Sequence, residues 1–139
     1  MKETTNYGFK KPEKNEHINS NVLNENMDKV DLQLDNLKKA NTAAINRQDH
    51  IMLITFAESA WTGTEPPYTQ TVAVDGVTAE DNPMLVSALE DGADLATQKA
   101  YSKAFGILAS GIGTTADGSV TFKVYKKPAT DVMVGLRGV

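Results

Sequence analysis

Few residues of this 139-residue chain could do chemistry, and their spacing matches no catalytic or metal-binding motif. The chain has two histidines, His17 and His50, and no cysteine. The histidines form neither an HxxxH nor an HExxH motif, which would place two zinc ligands on one helix face. The lack of cysteine excludes disulfides, thiolate ligands and cysteine nucleophiles. We therefore expect no metal and no cofactor.

Two other patterns resemble functional loops only superficially. The stretch GIGTTADG, from Gly111 to Gly118, lacks the lysine of a phosphate-binding loop and follows a predicted helix instead of preceding one. It predicts a helix end followed by a hairpin turn at Asp117-Gly118. The acidic group Glu90, Asp91 and Asp94 is more typical of turn and cap residues than of ligands. The sequence thus predicts that the chain is not an enzyme.

Two aromatic residues offer a candidate ligand site. Trp61 and Tyr68 flank the loop TGTEPP. Exposed aromatic rings in loops are common at binding surfaces, including surfaces that stack on sugars. The alternative is that Trp61 closes the edge of a small core.

Composition and charge exclude several classes of partner. The net charge is −4 and the pI is near 5.1, so the chain lacks the clustered positive charge of a nucleic-acid-binding protein. No apolar run approaches the ~20 residues of a membrane helix, and no apolar signal segment opens the chain. We expect cytoplasmic synthesis and assembly, with release by lysis or within a particle left open.

Residues 20–48 carry the most regular pattern in the chain. Apolar residues recur at steps of four, three, four and three, which predicts a helix beginning with a cap at Ser20 or Asn21 and ending near Arg47. Pairs such as Glu25–Lys29 place acid four residues before base, the favourable order. The heptad positions a and d are occupied by Leu23, Met27, Val30, Leu34, Leu37, Asn41, Ala44 and Gln48.

This apolar stripe is narrow, so the helix needs a partner. A 3.5-residue repeat implies a left-handed coiled coil between chains, and helical stability comes mainly from packing the apolar face. Asn41 at an a position would fix register by pairing with its own copies, unless the coil is frayed and wet there. Ala40 and Ile45 widen the stripe, which suits three or more strands or docking onto the following domain.

The segments on either side of the helix differ in character. Residues 1–19 are polar and predict an extended segment that would be mobile by itself. Within it Tyr7 and Phe9 alternate, and they would either attach the segment to a partner or fold back on the chain's own surface. Residues 50–139 predict a small α+β domain of four or five strands with one covering helix capped by Asp94. The complete expectation is an α+β chain divided into 1–19, 20–48 and 50–139.

Two stretches carry a resemblance to a known group of proteins. NYGFKKPEKNEHINSNVLNENMDKVDLQL resembles the start of tail-fibre and tail-appendage proteins of phages and prophages of Gram-positive bacteria. SAWTGTEPPYTQTVAVDGVTAEDNP is similar to small C-terminal domains of such proteins, and together the two cover most of the chain.

The resemblance implies a structural virion protein that is usually trimeric. It implies an N-terminal segment bound to a baseplate or tail protein, a coil that sets the oligomer, and an outward-facing domain. The expected location is the virion tail or baseplate, or a phage-tail-like bacteriocin. The alternative is a lectin-like oligomer whose Trp61–Tyr68 loop binds host-surface carbohydrate, with avidity from oligomerisation.

Overall fold

The computed structural model of the protein describes all residues from Met1 to Val139 and confirms the α+β class. The chain divides into two compact units, Met1–Asn46 and Arg47–Val139. The division lies within a few residues of the predicted one at residue 50, but the first 19 residues belong to the same unit as the helix. No helix combines the length and apolarity needed to cross a lipid bilayer.

The first unit begins with a short β-hairpin, where the sequence predicts an extended segment. Strands β1 (Lys2–Glu3) and β2 (Lys10–Lys11) pair antiparallel. Thr4 closes the loop, because its backbone N–H donates to the carbonyl of Phe9 and its hydroxyl accepts from the N–H of Phe9, both at 2.9 Å. Gly8 has a φ of 63°, a left-handed conformation that glycine adopts without strain.

Helix α1 spans Ser20–Asp49, close to the predicted bounds. The cap lies one residue earlier than predicted. The Asn19 side chain accepts from the backbone N–H of Val22 at 3.0 Å, and the Asn19 carbonyl accepts from Leu23. Asparagine is as good a cap as serine, so residue type alone did not separate the neighbouring candidates.

The second unit contains two antiparallel three-stranded sheets. The strands are β3 (Ile51–Phe56), β4 (Tyr68–Ala73), β5 (Met84–Ser87), β6 (Ile112–Ala116), β7 (Ser119–Val124) and β8 (Val132–Arg137). One sheet has the order β3-β8-β5 and the other β4-β7-β6. β8, the last of these strands in sequence, is thus the centre of its sheet.

The inner faces of the two sheets form one hydrophobic core. Phe56 of β3 packs edge-on against Phe122 of β7, with ring centroids 5.0 Å apart. Helix α2 (Leu95–Ala109) packs on β7 and β8, the central strand of each sheet, and adds Ala104 and Leu108 to the core. Alternate residues of β7 are buried, as expected for a strand that covers a core with one face, and β8 buries Val132, Val134 and Leu136 together with Gly135.

Tyr101 of α2 joins the helix to the point where β5 and β8 separate. The last ladder pair is Ser87 with Val134. Beyond that pair, the N–H of Ala88 and the carbonyl of Met133 do not bond to each other. The Tyr101 hydroxyl lies between them: it accepts from the N–H of Ala88 and donates to the carbonyl of Met133, each at 2.8 Å. One phenol therefore satisfies two backbone groups where the strands part.

The stretch Gly111–Gly118 contains a strand in addition to the predicted hairpin turn. β6 pairs with β7, and Asp117-Gly118 forms the two-residue connection. Gly118 has a φ of 76° and Asp117 a negative φ. Gly111 follows the helix for a different reason than expected: a Cβ there would lie 2.6 Å from the carbonyl of Lys123. Close backbone approach, not a left-handed helix stop, requires glycine at this position.

Candidate functional site: an exposed helix stripe

The predicted a and d side chains of α1 share one side of the helix, and that stripe is largely exposed. We call this set the seam; it consists of Leu23, Met27, Val30, Leu34, Leu37, Asn41 and Ala44. Its five large apolar side chains retain between 43% and 67% of their exposure, and Asn41 and Ala44 are also exposed. A row of large apolar side chains this exposed is typical of a surface that binds another apolar surface.

One exposed apolar residue of α1 lies away from the seam. Leu32 is 57% exposed, close to the 59% of Leu34, but it occupies heptad position f, on the opposite side of the helix. Scattered single apolar residues on a surface are ordinary. Leu32 therefore provides an internal comparison for the seam.

The hairpin lies along the flank of α1 next to the seam. Asn26 makes two hydrogen bonds with the Lys10 backbone, accepting from its N–H at 2.7 Å and donating to its carbonyl at 2.9 Å. The Lys29 ammonium donates to the carbonyl of Gly8, and Lys10 forms an ion pair with Glu25. Glu25 and Lys29 thus bind the hairpin instead of each other. The sequence pattern showed the favourable spacing but not this competing partner.

Tyr7 and Phe9 are stacked on each other, with ring centroids 5.7 Å apart. Together with Val30, Leu34 and Leu37 they line a groove of about 420 Å³. Of the two predicted alternatives, folding back on the chain's own surface holds for Phe9, which is half-buried. The ring of Tyr7 remains 56% exposed and so remains available to a partner.

Trp61 is a core residue, so the expected exposed ring is not present. Only 5% of it is exposed, and it stacks on Phe56 with centroids 5.9 Å apart. Tyr68 is half-buried, with the Lys127 ammonium 4.8 Å above its ring. The indole N–H of Trp61 and the side-chain oxygen of Gln70 are both buried without a hydrogen-bond partner. The alternative in which Trp61 closes the core is the one that the structure contains.

Asp81 and the predicted helix cap Asp94 both accept hydrogen bonds from backbone N–H groups. The Asp81 carboxylate accepts from the N–H of Thr78 at 2.8 Å, which is the main cause of a pKa below its usual value, and pairs with Arg47. Asp94 caps α2 by accepting from the N–H of Thr97 at 2.7 Å, and this bond lowers the pKa of Asp94. Carboxylates stabilised in the charged form are poorly suited to general acid catalysis near neutral pH.

The histidines and carboxylates form no cluster of three or more that could hold a metal ion. His50 bonds through Nδ1 to the carbonyl of Val139 at 2.9 Å. His17 is exposed in the loop before α1.

The fold also assembles a group of lysines that sequence spacing did not indicate. Lys99 and Lys103 of α2, and Lys126 and Lys127 after β7, line one cleft of about 490 Å³. None of the four makes an ion pair. The cleft would attract anions by its charge. Its other lining residues are mostly alanine (Ala96, Ala100, Ala104 and Ala129, with Ile107 and Thr130), so they offer little polar chemistry to orient a ligand.

No family model, curated protein or solved structure matches this chain. Its functional interpretation therefore depends on the surfaces described above and on the resemblance of its motifs.

Proposed function

We propose that the protein is a non-enzymatic structural component of a phage tail or phage-tail-like particle. In this proposal the chain is a short homotrimeric fibre or appendage. Its first unit oligomerises and attaches to another tail or baseplate protein, and its second unit faces outward. The observation that carries the proposal is the exposed seam of α1, in a chain whose motifs resemble those of tail appendages.

The energetics of the seam favour self-association. Full burial of a leucine, valine or methionine side chain stabilises by about 1.5–3 kcal/mol, and the five large seam side chains are 43–67% exposed. A partner surface that covered them would gain several kcal/mol before the entropy of association is subtracted. Identical helices offer the same stripe at the same spacing, which makes a second and third copy well-matched partners.

The residues beside the seam favour pairing through apolar contacts and Asn41 instead of ion pairs. Positions e and g flank the core of a coiled coil and often carry opposite charges. Here the g positions before Arg47 are Asn26, Gln33 and Ala40, and all three are uncharged. Interhelical salt bridges would contribute little to register. Asn41 is then the residue best placed to fix register, by hydrogen bonding among its copies.

The hairpin is the proposed attachment element. It is held on α1 by Asn26, Lys29 and Glu25, so the exposed Tyr7 ring has a fixed position. Tyrosine is enriched in interfaces because it combines a large apolar ring with a polar tip. A tail or baseplate protein is the partner proposed for it.

Measurement of oligomer mass tests the seam. We expect the intact chain to have three times the 15.0 kDa mass of one chain in light scattering at micromolar concentration. Leu34→Ser should reduce the mass towards one chain, whereas Leu32→Ser should leave it unchanged. Similar exposure makes the two variants a matched pair. A monomeric intact chain would contradict the proposal.

Particle assembly tests the attachment. Tyr7→Ser should reduce incorporation of the chain into particles while the trimer mass is retained. Tyr125→Ser, at an 85% exposed tyrosine in the second unit, is the control. Normal incorporation of a chain that lacks Met1–Asn19 would show that attachment lies elsewhere.

A further inference from the structure

The cleft of about 490 Å³ in the second unit lies between helix α2 and the connection from β7 to β8. Its four lysines come in two pairs, Lys99 with Lys103 on α2 and Lys126 with Lys127 in the connection. We call it the lysine cleft. Lys99 and Lys103 are four residues apart, about 6 Å along the helix axis. Two separate elements therefore bring positive charge to one concave surface.

No carboxylate neutralises the lysine cleft. None of its lining residues is acidic. Asp131, which follows the lining residue Thr130, accepts from the backbone N–H of Glu58 at 2.7 Å and pairs with no lysine. Both arginines of the second unit, in contrast, form ion pairs with carboxylates. The lysines of the cleft stay unpaired although acidic residues outnumber basic ones in this unit, eleven to seven.

The positive charge of the second unit is concentrated in this cleft. Four of the five lysines of the unit line it, and the fifth, Lys123, is exposed on β7 outside it. Like charges brought together repel each other, so their grouping destabilises the fold unless an anion lies among them. A cleft lined by one sign of charge also focuses the electric field and raises the local concentration of ions of the opposite sign.

Both walls of the lysine cleft are anchored in the core. Ala104 and Leu108 of α2 are buried, and Pro128, directly after Lys127, is fully buried. The Lys127 ammonium lies 4.8 Å from the centre of the Tyr68 ring, within the range of a cation–π attraction. The lysine side chains therefore extend from fixed backbone positions, which lowers the ordering cost of binding a ligand.

The residue types in the cleft favour phosphate over other anions. The lysine ammonium is a compact point charge that commonly binds phosphate, and it lacks the planar fork with which arginine matches a carboxylate. A phosphate group carries up to about two negative charges at neutral pH, so two or three linked phosphates match four ammonium groups. Thr130 adds a hydroxyl donor. No aromatic ring lines the cleft, so it lacks the stacking surface that nucleic-acid bases use.

We infer that the lysine cleft binds a small anion with two or three linked phosphate groups. The cleft is the binding site, and its two lysine pairs hold the phosphate oxygens from opposite sides. The inference does not depend on the proposed function, because the cleft lies within the second unit and uses no residue of the seam.

Titration of the full chain with inorganic tripolyphosphate tests the inference. Calorimetry at low ionic strength, where screening is weak, should show one saturable site per chain. Lys103→Gln removes one charge from the cleft and should weaken binding by about tenfold or more, the usual contribution of a hydrogen bond to a charged group. Lys123→Gln makes the same change outside the cleft and should leave the affinity nearly unchanged. Both lysines are exposed, so neither substitution disturbs the core.

Other anions test the assignment to phosphate. Citrate, whose charge is on carboxylates, should bind more weakly than tripolyphosphate, and equal affinity would overturn the assignment. Tighter binding of a thymidine oligonucleotide would assign the cleft to nucleic acid and would also overturn it. Absence of a saturable site, or equal losses in Lys103→Gln and Lys123→Gln, would overturn the inference as a whole. Oligomer mass is measured separately, so each of these results leaves the proposed trimer to its own test.

Backbone amide shifts measured by NMR locate the bound anion. Addition of tripolyphosphate should shift the amides of Ala100, Lys103, Ala129 and Thr130, which line the cleft, and should leave those of β6 in place. Shifts centred on any other part of the chain would overturn the inference.

Discussion

At the scale of single residues, Tyr101 makes the clearest structural contribution. Tyr101→Phe keeps the ring that stacks on Phe105 but removes the hydroxyl between Ala88 and Met133. Two backbone groups would lose their partner, so we expect a loss of about 1–3 kcal/mol in the free energy of unfolding. Chemical denaturation of the full chain measures this loss. Tyr125→Phe removes a hydroxyl from an exposed ring and should have almost no effect.

Asp94 gives a prediction for pH at the same scale. Its pKa is lowered in the folded chain by the N–H of Thr97, so its charged form stabilises folding above the unfolded pKa near 3.9. That stabilisation is lost as the pH falls through the lower folded value. Asp94→Asn keeps a cap but removes the charge. The variant should melt a few degrees lower at pH 7 in thermal denaturation, and the difference should shrink as the pH falls through the lowered pKa of Asp94.

A control separates the cap from general charge effects. Asp91→Asn makes the same change of charge on a neighbouring exposed residue that bonds to no helix N–H. It should not reproduce the pH dependence. An Asp94→Asn variant whose difference from wild type does not change between pH 7 and acid pH would contradict the role assigned to the carboxylate.

Residue types predicted some of these roles and missed others. Asp94 could be predicted, because a capping residue acts on the backbone three residues ahead. The burial of Trp61 could not be decided from the sequence. Its position depends on Phe56, with which it stacks, and on packing among strands far apart in the chain. The spacing of Glu25 and Lys29 predicted that they pair with each other, but Glu25 pairs with Lys10 and Lys29 bonds to the carbonyl of Gly8. These contacts depend on the hairpin, which is distant in sequence from the helix positions.

At the scale of elements, Asn41 is the residue whose substitution best tests whether the α1 helices pack against each other through the seam. A buried asparagine lowers the stability of a coiled coil but fixes its register. In the proposed trimer, Asn41→Leu should therefore raise the melting temperature by several degrees and broaden the mass distribution. Thermal melting with sedimentation measures both. An unchanged melting temperature would mean that Asn41 is not between the helices.

The elements themselves were predictable to different degrees. α1 has a local signal, a regular apolar spacing from Leu23 to Leu37 with candidate cap residues before it, and its bounds followed closely from these features. β6 has none: Ile112–Ala116 contains two threonines, a glycine and an alanine, and its outer positions are exposed. It is a strand because β7 offers it an edge. The position of β8 between β3 and β5 likewise depends on pairing between segments far apart in the chain, and local sequence does not predict it.

At the scale of the whole molecule, association predicts a dependence of stability on concentration. If three chains share the seam, tenfold dilution should destabilise the trimer by about 2.8 kcal/mol, twice the 1.4 kcal/mol that corresponds to a factor of ten. The melting temperature should therefore fall on dilution. Leu34→Ser should remove the dependence, and Leu32→Ser should keep it. Wild-type melting that is independent of concentration over a hundredfold range would contradict a reversible trimer.

The position of β8 has a consequence for the order of events during synthesis. The centre of the β3-β8-β5 sheet is Val132–Arg137, so a nascent chain that has not yet emerged past those residues carries β3 and β5 as unpaired edges. α1, in contrast, leaves the ribosome more than eighty residues earlier. In the proposed trimer, neighbouring nascent chains on one messenger would be able to meet through their helices before any of them completes its sheet.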